Sequence, residues 1–189
     1  MKSIGLKEVL NPSEIFLEER SKNTPGSAIV ATMEGTRAML VEVQALVTPT
    51  HFHNPRRMST GIDQNRLSLL MAVLEKSGGY LMQQHDAYIK VAGGVKLEEP
   101  AVDLSVIISI ASSFKNKEVR GDDCFIGEVG LTGEVRRVTK IESRLQEAAK
   151  LGFTRAIVPK SNLTGIQLPE GLKVHGVSDL GQAIKHAFN

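Results

Sequence analysis

Residues 101–114 read AVDLSVIISIASSF and carry apolar side chains on nearly every side of a helix. Pro100 precedes them, and proline is favoured in the first turn of a helix because its missing amide donor is not needed there. A helix that is apolar on most sides is buried inside a domain. The sequence therefore predicts an internal helix that other elements must cover.

Strand and helix patterns before this segment predict the first covering elements. SAIVATM and AMLVEVQALV flank EGTR, which predicts a β-hairpin with a glycine at its turn. HFHNPRRMSTG follows and predicts a polar, basic loop. Residues 63–77 place apolar side chains at helical spacing and end at Gly78-Gly79, which predicts a helix. AYIKVAGGV predicts a short strand after that helix.

Patterns after the internal helix predict the remaining elements. CFIGEVGL and EVRRV flank Thr132-Gly133 and predict a second hairpin. TKIESRLQEAAKLG predicts an amphipathic helix that Gly152 closes, and RAIVP and KVHGV predict strands before a capped helix beginning at Ser178. The resulting order, ββαβαββαββα, indicates an α+β domain better than a regularly alternating doubly wound sheet.

The length of 189 residues and a hydrophobic fraction of 41% suit one soluble domain with an attached segment. Residues 1–27 contain Asn11-Pro12, LEERSKN and Pro25-Gly26 but little apolar periodicity, so the main domain is expected to start near Gly26. No apolar run has the length of a bilayer span, and the first residues lack the apolar block of a signal peptide. We expect a cytoplasmic protein with no membrane partner.

Composition and short motifs argue against several kinds of site. Aromatic residues make up only 4% of the chain, which argues against base-stacking platforms, and the formal charge of +2 leaves any nucleic-acid contact to local patches. No GxxxxGK[ST] phosphate loop is present. Cys124 lies in the apolar run CFIGEV and is expected to be a small buried side chain, which fits a reducing compartment.

Two pairs of residues that could bind metal have simpler explanations. His51 and His53 could face the same side of an extended segment, but no Cys or carboxylate cluster adjoins them, so a solvated loop is the better interpretation. Asp122 and Asp123 are better explained as a turn, because adjacent carboxylates alone do not build an octahedral magnesium site. We expect no metal site in this chain.

The stretch GEVGLTGEVRRVTKIESRLQEAAKLGFTRAIVP, together with VAGGVKLEEPAVDLSVIISIASSF before it, resembles the C-terminal proteolytic domain of Lon proteases. The resemblance covers most of residues 80–160. It implies the Lon proteolytic-domain fold, which is like that of domain 2 of ribosomal protein S5. It also implies where the Ser-Lys dyad of that family would lie.

Both dyad positions are altered. The family's GPSAG falls on residues 99–103, so its serine position holds Ala101, and its lysine position holds Glu142. Ser105 lies about 6 Å further along the helix, and Lys140 precedes the lysine position by two residues, so neither replaces the lost group. Thr139 and Glu142 instead match a capping box, which predicts a structural role for Glu142.

A second resemblance spans essentially the whole chain. GLKEVLNPSEIFLEER, HNPRRMSTGIDQNRLSLLMAVLEKSGG and VAGGVKLEEPAVDLSV resemble bacterial DNA repair proteins of the RadA (Sms) family. The resemblance implies that residues 1–26 are the end of a RecA-like ATPase core with its linker, and that residues 27–189 are a noncatalytic Lon-like domain. ATP, Mg and Zn are then expected only in N-terminal domains outside this chain, and no cofactor within it.

Family members are implied to be ATP-driven, ring-forming motors, expected to be hexamers, that promote branch migration of recombination intermediates. This chain would be their ring scaffold and DNA-contact domain, not itself an enzyme, and single-stranded or branched DNA and a RecA-type recombinase are the expected partners. Guanidinium and ammonium groups bind phosphates without reading sequence. The candidate DNA-binding residues are Arg56, Arg57, Arg66, Lys96, Arg136, Arg137 and Lys140.

Alternatives remain for the residues and for the domain. Each basic residue taken alone is better explained as solvated surface, and Arg66 could instead pair with a carboxylate inside the fold. The domain could be a peptide-binding or residually active Ser/Lys Lon-type protease rather than a scaffold. Ala101 and Glu142 favour the scaffold.

Overall fold

The computed structural model describes residues 11–20 and 22–189. Helices α1 to α5 span Pro12–Glu18, Gln64–Gly78, Asp103–Lys115, Ile141–Lys150 and Leu180–Ala187. Strands β1 to β9 span Ser27–Glu34, Arg37–Pro49, Arg57–Thr60, His85–Val91, Asp123–Phe125, Glu128–Val129, Val135–Arg136, Arg155–Pro159 and Lys173–Val177. The described elements follow the order αβββαβαβββαββα, which adds α1 and two strands to the predicted order.

A seven-stranded sheet with the order β3-β4-β2-β1-β5-β8-β9 forms the middle layer, and β6 and β7 form a separate two-stranded ribbon. Strand β2 pairs antiparallel with both β1 and β4, and the other pairings in the large sheet are parallel. Six strands therefore run in one direction and β2 runs against them. This mixed, mostly parallel sheet is compatible with the predicted α+β class.

Helix α3 is the internal helix that the sequence predicts. Its residues from Asp103 to Ser112 are all buried. It packs on β1 and β2, with α2 and α5 beside it, while α1 and α4 contact the opposite face of the sheet. Because side chains alternate along a strand, Ala28 and Val30 join the α3 core whereas Ile29 and Ala31 join the α4 core.

Several sequence predictions are confirmed locally. The β1–β2 hairpin closes at Glu34 and Arg37, with Gly35 in the turn at a φ of 62°. Helix α2 follows the N-cap Asp63 and ends before Gly79. The φ of Gly79 is 75°, a backbone conformation that would be strained for a residue with a Cβ atom. The second hairpin, β6–β7, also forms.

Four local features differ from the sequence prediction. Strand β3 occupies part of the predicted loop HFHNPRRMSTG, where it pairs with β4 at the edge of the sheet. The run CFIGEVGL is divided between β5 and β6, which belong to different sheets. Helix α1 lies in the predicted boundary segment, and α5 uses Asp179 rather than Ser178 as its N-cap. These elements are too short for periodicity to reveal, since tertiary contacts rather than local patterns stabilise them.

The predicted capping box at the start of α4 is wrong. Lys140 occupies the N-cap position with left-handed angles, φ 58° and ψ 36°, and no side chain caps this end. The turn at Lys140 removes Thr139 from the capping position, and the Thr139 carbonyl instead accepts a hydrogen bond of 2.8 Å from Arg144 Nε. Glu142 is exposed in the first turn.

Replacing Glu142 with Ala is therefore expected to change the free energy of unfolding by no more than about 0.5 kcal/mol, the usual range for an exposed surface residue. The matched control is Asp179→Ala, because Asp179 Oδ1 accepts a bond of 2.9 Å from the Gln182 amide at the start of α5. Loss of that cap should cost about 1 kcal/mol. Denaturant unfolding measures the free energy of unfolding of both variants. An equal loss of free energy in the two variants would support a capping role for Glu142.

Within the part of the chain that the structure describes, none of the helices is long and apolar enough to span a membrane.

Candidate functional site at the start of helix α3

The start of α3 lies at the carboxyl ends of the parallel strands, where ligands commonly bind in sheets of this kind. A 3-10 turn, Pro100–Val102, leads into the helix. The Ala101 carbonyl accepts a bond of 2.9 Å from the Gly127 amide, and the Gly127 carbonyl accepts one of 3.0 Å from the Leu104 amide. These reciprocal bonds fix the turn against the segment that follows β5.

Ala101, to which the resemblance assigns the position of the Lon serine, has no reactive group. Its methyl group is 3% exposed and lies in the same apolar core as Leu40 and Ile141. Glu142, at the lysine position, points instead to solvent.

Other nucleophilic side chains near the turn are buried and occupied. Ser105 is fully buried, and its hydroxyl donates a bond of 2.9 Å to the Val102 carbonyl. Burial raises the pKa of the Cys124 thiol to about 12, so this side chain remains protonated. Cys124 is thus the small buried side chain that the sequence predicts.

Arg144 is a buried arginine that pairs with the half-buried Glu99, and sequence reasoning missed this ion pair. Its guanidinium is fully buried and binds Glu99 through two bonds of 2.6 and 3.0 Å. It also donates a hydrogen bond of 2.9 Å to the Ala31 carbonyl. The Arg144 side chain therefore connects α4, the end of β1 and the turn before α3.

The carboxylate of Glu99 has further partners. It accepts bonds of 2.7 Å from the Thr32 hydroxyl and 2.6 Å from the Met33 amide. Burial raises the pKa of Glu99, but the bonds that it accepts, above all those from Arg144, outweigh burial, so the pKa lies below its ordinary value.

A second ion pair holds the first residue of α3. Arg66 on α2 donates hydrogen bonds of 2.6 and 3.0 Å to the two oxygens of Asp103. Asp103 also accepts a hydrogen bond of 3.1 Å from the Val129 amide. The bonds to Asp103 raise the pKa of Arg66. Burial raises the pKa of the Asp103 carboxyl, and the bonds from Arg66 oppose that effect. The alternative of an internal partner for Arg66 is confirmed.

The remaining candidate DNA-binding residues differ in how far they are engaged. Arg57 donates a bond of 2.9 Å to the Met82 carbonyl and another to the His85 carbonyl. Arg136 pairs with Glu134 at 3.0 Å on the surface. Lys96, Arg137 and Lys140 are exposed, and their side chains have no ion pair or hydrogen bond within residues 11–20 and 22–189.

The ion pairs decide which candidates lie near one another. Lys96 is three residues before Glu99, and Lys140 follows Thr139, whose carbonyl binds Arg144. Arg144 therefore joins the segment that follows Lys96 to the turn that carries Arg137 and Lys140. For the role proposed below, we call these three exposed residues the phosphate surface. Arg56 and Arg57 lie at the other end of the sheet, because β3 runs away from them toward Gly61, which binds Leu97.

Candidate metal ligands do not gather in the described residues. No group of three or more His, Cys, Asp or Glu side chains there has the geometry to hold a metal ion. Asp122 accepts a bond from the Thr154 hydroxyl, and this bond lowers the pKa of its carboxyl. Asp123 is buried and binds Arg155 through bonds of 2.9 and 2.5 Å. The adjacent carboxylates thus have separate structural partners.

A family model described as subunit ChlI of Mg-chelatase matches residues 60–162, which is more than half of the chain. Matches over essentially the whole of this chain come from proteins named DNA repair protein RadA. The relative from Bacillus subtilis (strain 168) is 64% identical over 185 residues, 98% of this chain and 40% of the relative.

Two further relatives with the same name give similar values. The protein from Listeria monocytogenes serovar 1/2a is 59% identical over 188 residues, and the one from Streptococcus pneumoniae (strain ATCC BAA-255 / R6) is 60% identical over 188 residues. Each match covers 100% of this chain but only 41% and 45% of the respective relative. The chain therefore spans less than half the length of the relatives that it matches.

Proposed function

We propose that this chain, which belongs to the family described as subunit ChlI of Mg-chelatase, is a noncatalytic DNA-contact domain of a DNA repair protein. The whole-length similarity to DNA repair proteins RadA, at 59% to 64% identity, is the observation that carries the DNA repair role. Residues 27–189 would form this domain with a Lon-like fold, and residues 1–26 would link it to an ATPase core.

The noncatalytic part of the proposal rests on the groups at the start of α3. A Ser-Lys protease needs an accessible hydroxyl beside an amine that takes its proton. Ala101 supplies a buried methyl group instead, and the nearby Ser105 hydroxyl is fully buried in a bond to Val102. The ion pair of Arg144 and Glu99 stands beside this turn and gives it a structural role.

Peptide hydrolysis is expected to be absent. The complete protein that carries this chain should cleave neither casein nor fluorogenic peptides above a buffer control, because no hydroxyl near Ala101 is free to attack. A Lon protease under the same conditions serves as the positive control. Cleavage that survives repurification and disappears in Ser105→Ala would contradict the proposal.

The DNA-contact part rests on the phosphate surface. Lys96, Arg137 and Lys140 are exposed cations whose side chains have no partner among the described residues, so they remain available to phosphates. Arg136 could join them by exchanging Glu134 for a phosphate, since an exposed ion pair contributes little. Contacts of this kind position a protein on DNA without reading sequence.

The larger assembly belongs to the same proposal. The complete protein would be a cytoplasmic, ATP-dependent motor that acts in recombination and branch migration, with ATP, Mg and Zn bound outside this chain. Its subunits would form a ring, expected to be a hexamer, on single-stranded or branched DNA, with a RecA-type recombinase as a further partner. A ring repeats each phosphate contact around its axis, so weak contacts gain through multivalency.

Salt-dependent DNA binding tests the proposal. The complete protein should bind unrelated DNA sequences with similar affinity, and the affinity should fall steeply with salt because each neutralised phosphate releases counterions. Affinity that does not change with salt, or binding limited to one sequence, would contradict a phosphate surface.

A further inference from the structure

Residues 50–57, THFHNPRR, connect β2 to the start of β3 and present an exposed aromatic ring, and we call this segment the Phe52 loop. The Phe52 side chain is 47% exposed. The Arg56 guanidinium lies over the ring, 3.9 Å from its centroid. An arginine stacked in this way keeps the ring on the surface at a favourable cation–π contact.

The loop is held at both ends. The Thr50 amide donates a hydrogen bond of 2.9 Å to the Gln84 carbonyl. The Arg56 amide donates a hydrogen bond of 2.7 Å to Asp86 Oδ1. The Ala87 amide donates 2.9 Å to the Arg56 carbonyl. Because these bonds fix the two ends, the ring and the guanidinium are preorganised for a ligand, which reduces the entropy lost on binding.

The charge around the loop suits an anionic ligand. Residues 50–57 contain two arginines and two histidines but no Asp or Glu, and the neighbouring segment 79–85, GYLMQQH, contains no acidic residue either. Asp86 is buried beneath the loop, where it binds the Arg56 amide and offsets part of the charge of Arg56 and Arg57, so the two arginines keep a net positive charge. The Arg56 side chain has no hydrogen-bond partner in the described part of the chain, so its N–H groups can still donate.

We infer that the Phe52 loop binds single-stranded DNA by stacking an unpaired base on the Phe52 ring while Arg56 contacts the adjacent phosphate. Base–aromatic stacking is tolerant of sequence because every base has a π face, and a basic side chain beside the ring follows the backbone. Bases inside a duplex are already stacked, so this contact selects unpaired strands. The inference rests on the proposed DNA-contact function and adds the contact that recognises an unpaired base. It departs from the expectation that a chain with 4% aromatic residues lacks base-stacking platforms.

The loop is separate from the phosphate surface. It lies at the amino end of β4, whereas Lys96 and Lys140 lie near the carboxyl ends of the parallel strands. A strand bound at both places would therefore extend along the sheet from one end to the other. This separation allows the two surfaces to be tested with different variants.

The experiment compares Phe52→Ala with the wild-type complete protein on labelled oligothymidine, on a strand of the same length made of abasic nucleotides, and on duplex DNA. Stacking energies predict a loss of about 5- to 150-fold on oligothymidine. Binding to the abasic strand and the duplex should change less than about twofold, since phosphate contacts remain. Leu81→Ala, which removes another exposed apolar side chain, should bind all three as wild type does.

A second variant provides a direct signal. Phe52→Trp should keep the affinity for oligothymidine, and its added tryptophan emission should be quenched by oligothymidine but not by the abasic strand. Thermal unfolding of Phe52→Ala should match wild type, because the ring lies outside both apolar cores.

The outcomes distinguish the two proposals. Equal affinity of Phe52→Ala and wild type for oligothymidine, or an equal loss on the abasic strand, would overturn the stacking inference and leave the phosphate surface in place. If the wild-type protein bound none of the three DNAs, both the stacking inference and the proposed DNA-contact function would be overturned.

Discussion

Replacing Arg144 with Ala is expected to lower the free energy of unfolding by about 3 kcal/mol, the lower end of the scale for breaking a buried ion pair, because Arg144 is fully buried whereas Glu99 is partly exposed. The Arg144 guanidinium is fully buried, binds both oxygens of Glu99, and donates to the carbonyls of Ala31 and Thr139. Its loss leaves the Glu99 carboxylate without its cation and removes one donor from each of the Ala31 and Thr139 carbonyls. It also opens a cavity beside the turn before α3.

Denaturant unfolding of the complete protein measures this loss of free energy. Hydrogen exchange at β1 and α4 shows whether the loss lies in residues 27–189. The matched control is Arg136→Ala, because Arg136 also pairs with a glutamate at 3.0 Å but is exposed. That variant should lose no more than about 1 kcal/mol. An equal loss in the two variants would show that burial of Arg144 is not the cause.

The dependence on pH gives an independent readout of the same pair. The pKa of Glu99 is lower in the folded state than in the unfolded chain, so its contribution is present above the unfolded pKa of about 4.3 and is lost as pH falls through the folded pKa. Wild type should therefore lose stability in acid through this carboxyl. Arg144→Ala should lose less over the same range, because its Glu99 no longer has the partner that lowers the pKa.

The sequence predicted the elements whose patterns are long. The internal helix, the β1–β2 hairpin and α2 are all found, since each has either many apolar residues in register or a clear glycine signal. Strand β3 and helix α1 were not predicted, because four residues and seven residues give periodicity too little length. Their stability comes from pairing with β4 and packing against β2.

Partners far apart in sequence explain why the site was only partly predicted. Ala101 and Glu142 could be located from the motif, but Arg144 and its partner Glu99 are 45 residues apart, and nothing local joins them. One signal was present: Arg144 lies on the side of α4 that carries Ile141, Leu145 and Ala148, all of them buried. A buried arginine within an apolar stripe requires a carboxylate partner.

Long-range partners also separate the basic residues into two groups. Sequence alone placed Arg66 and Lys96 in one class, yet Arg66 binds Asp103, 37 residues away, whereas Lys96 is exposed without a partner in the described residues. Arg57 binds carbonyls 25 and 28 residues away. Replacing Arg57 or Arg66 would therefore disturb the fold as well as any DNA contact, so neither gives a clean test.

Replacing Lys96, Arg137 and Lys140 together with Ala is expected to weaken DNA binding by the complete protein at least about tenfold, equivalent to about 1.4 kcal/mol. The loss should be similar for all DNA sequences, because phosphate contacts carry no base information. The slope of log affinity against log salt should become shallower by about 0.9 for each phosphate contact that is lost from a duplex. Fluorescence anisotropy at several salt concentrations measures both quantities.

The control must remove the same charge from elsewhere on the domain. Lys76, Lys150 and Lys185 are exposed in the last turns of α2, α4 and α5, so their triple replacement by Ala lowers the net charge equally. If affinity depended only on net charge, the two triple variants would bind alike. A localised phosphate surface predicts that only the variant at Lys96, Arg137 and Lys140 loses affinity and salt dependence, with the fold and the oligomer unchanged in both. Equal affinities and equal salt slopes for that variant and wild type would reject the phosphate surface and leave the domain as a scaffold.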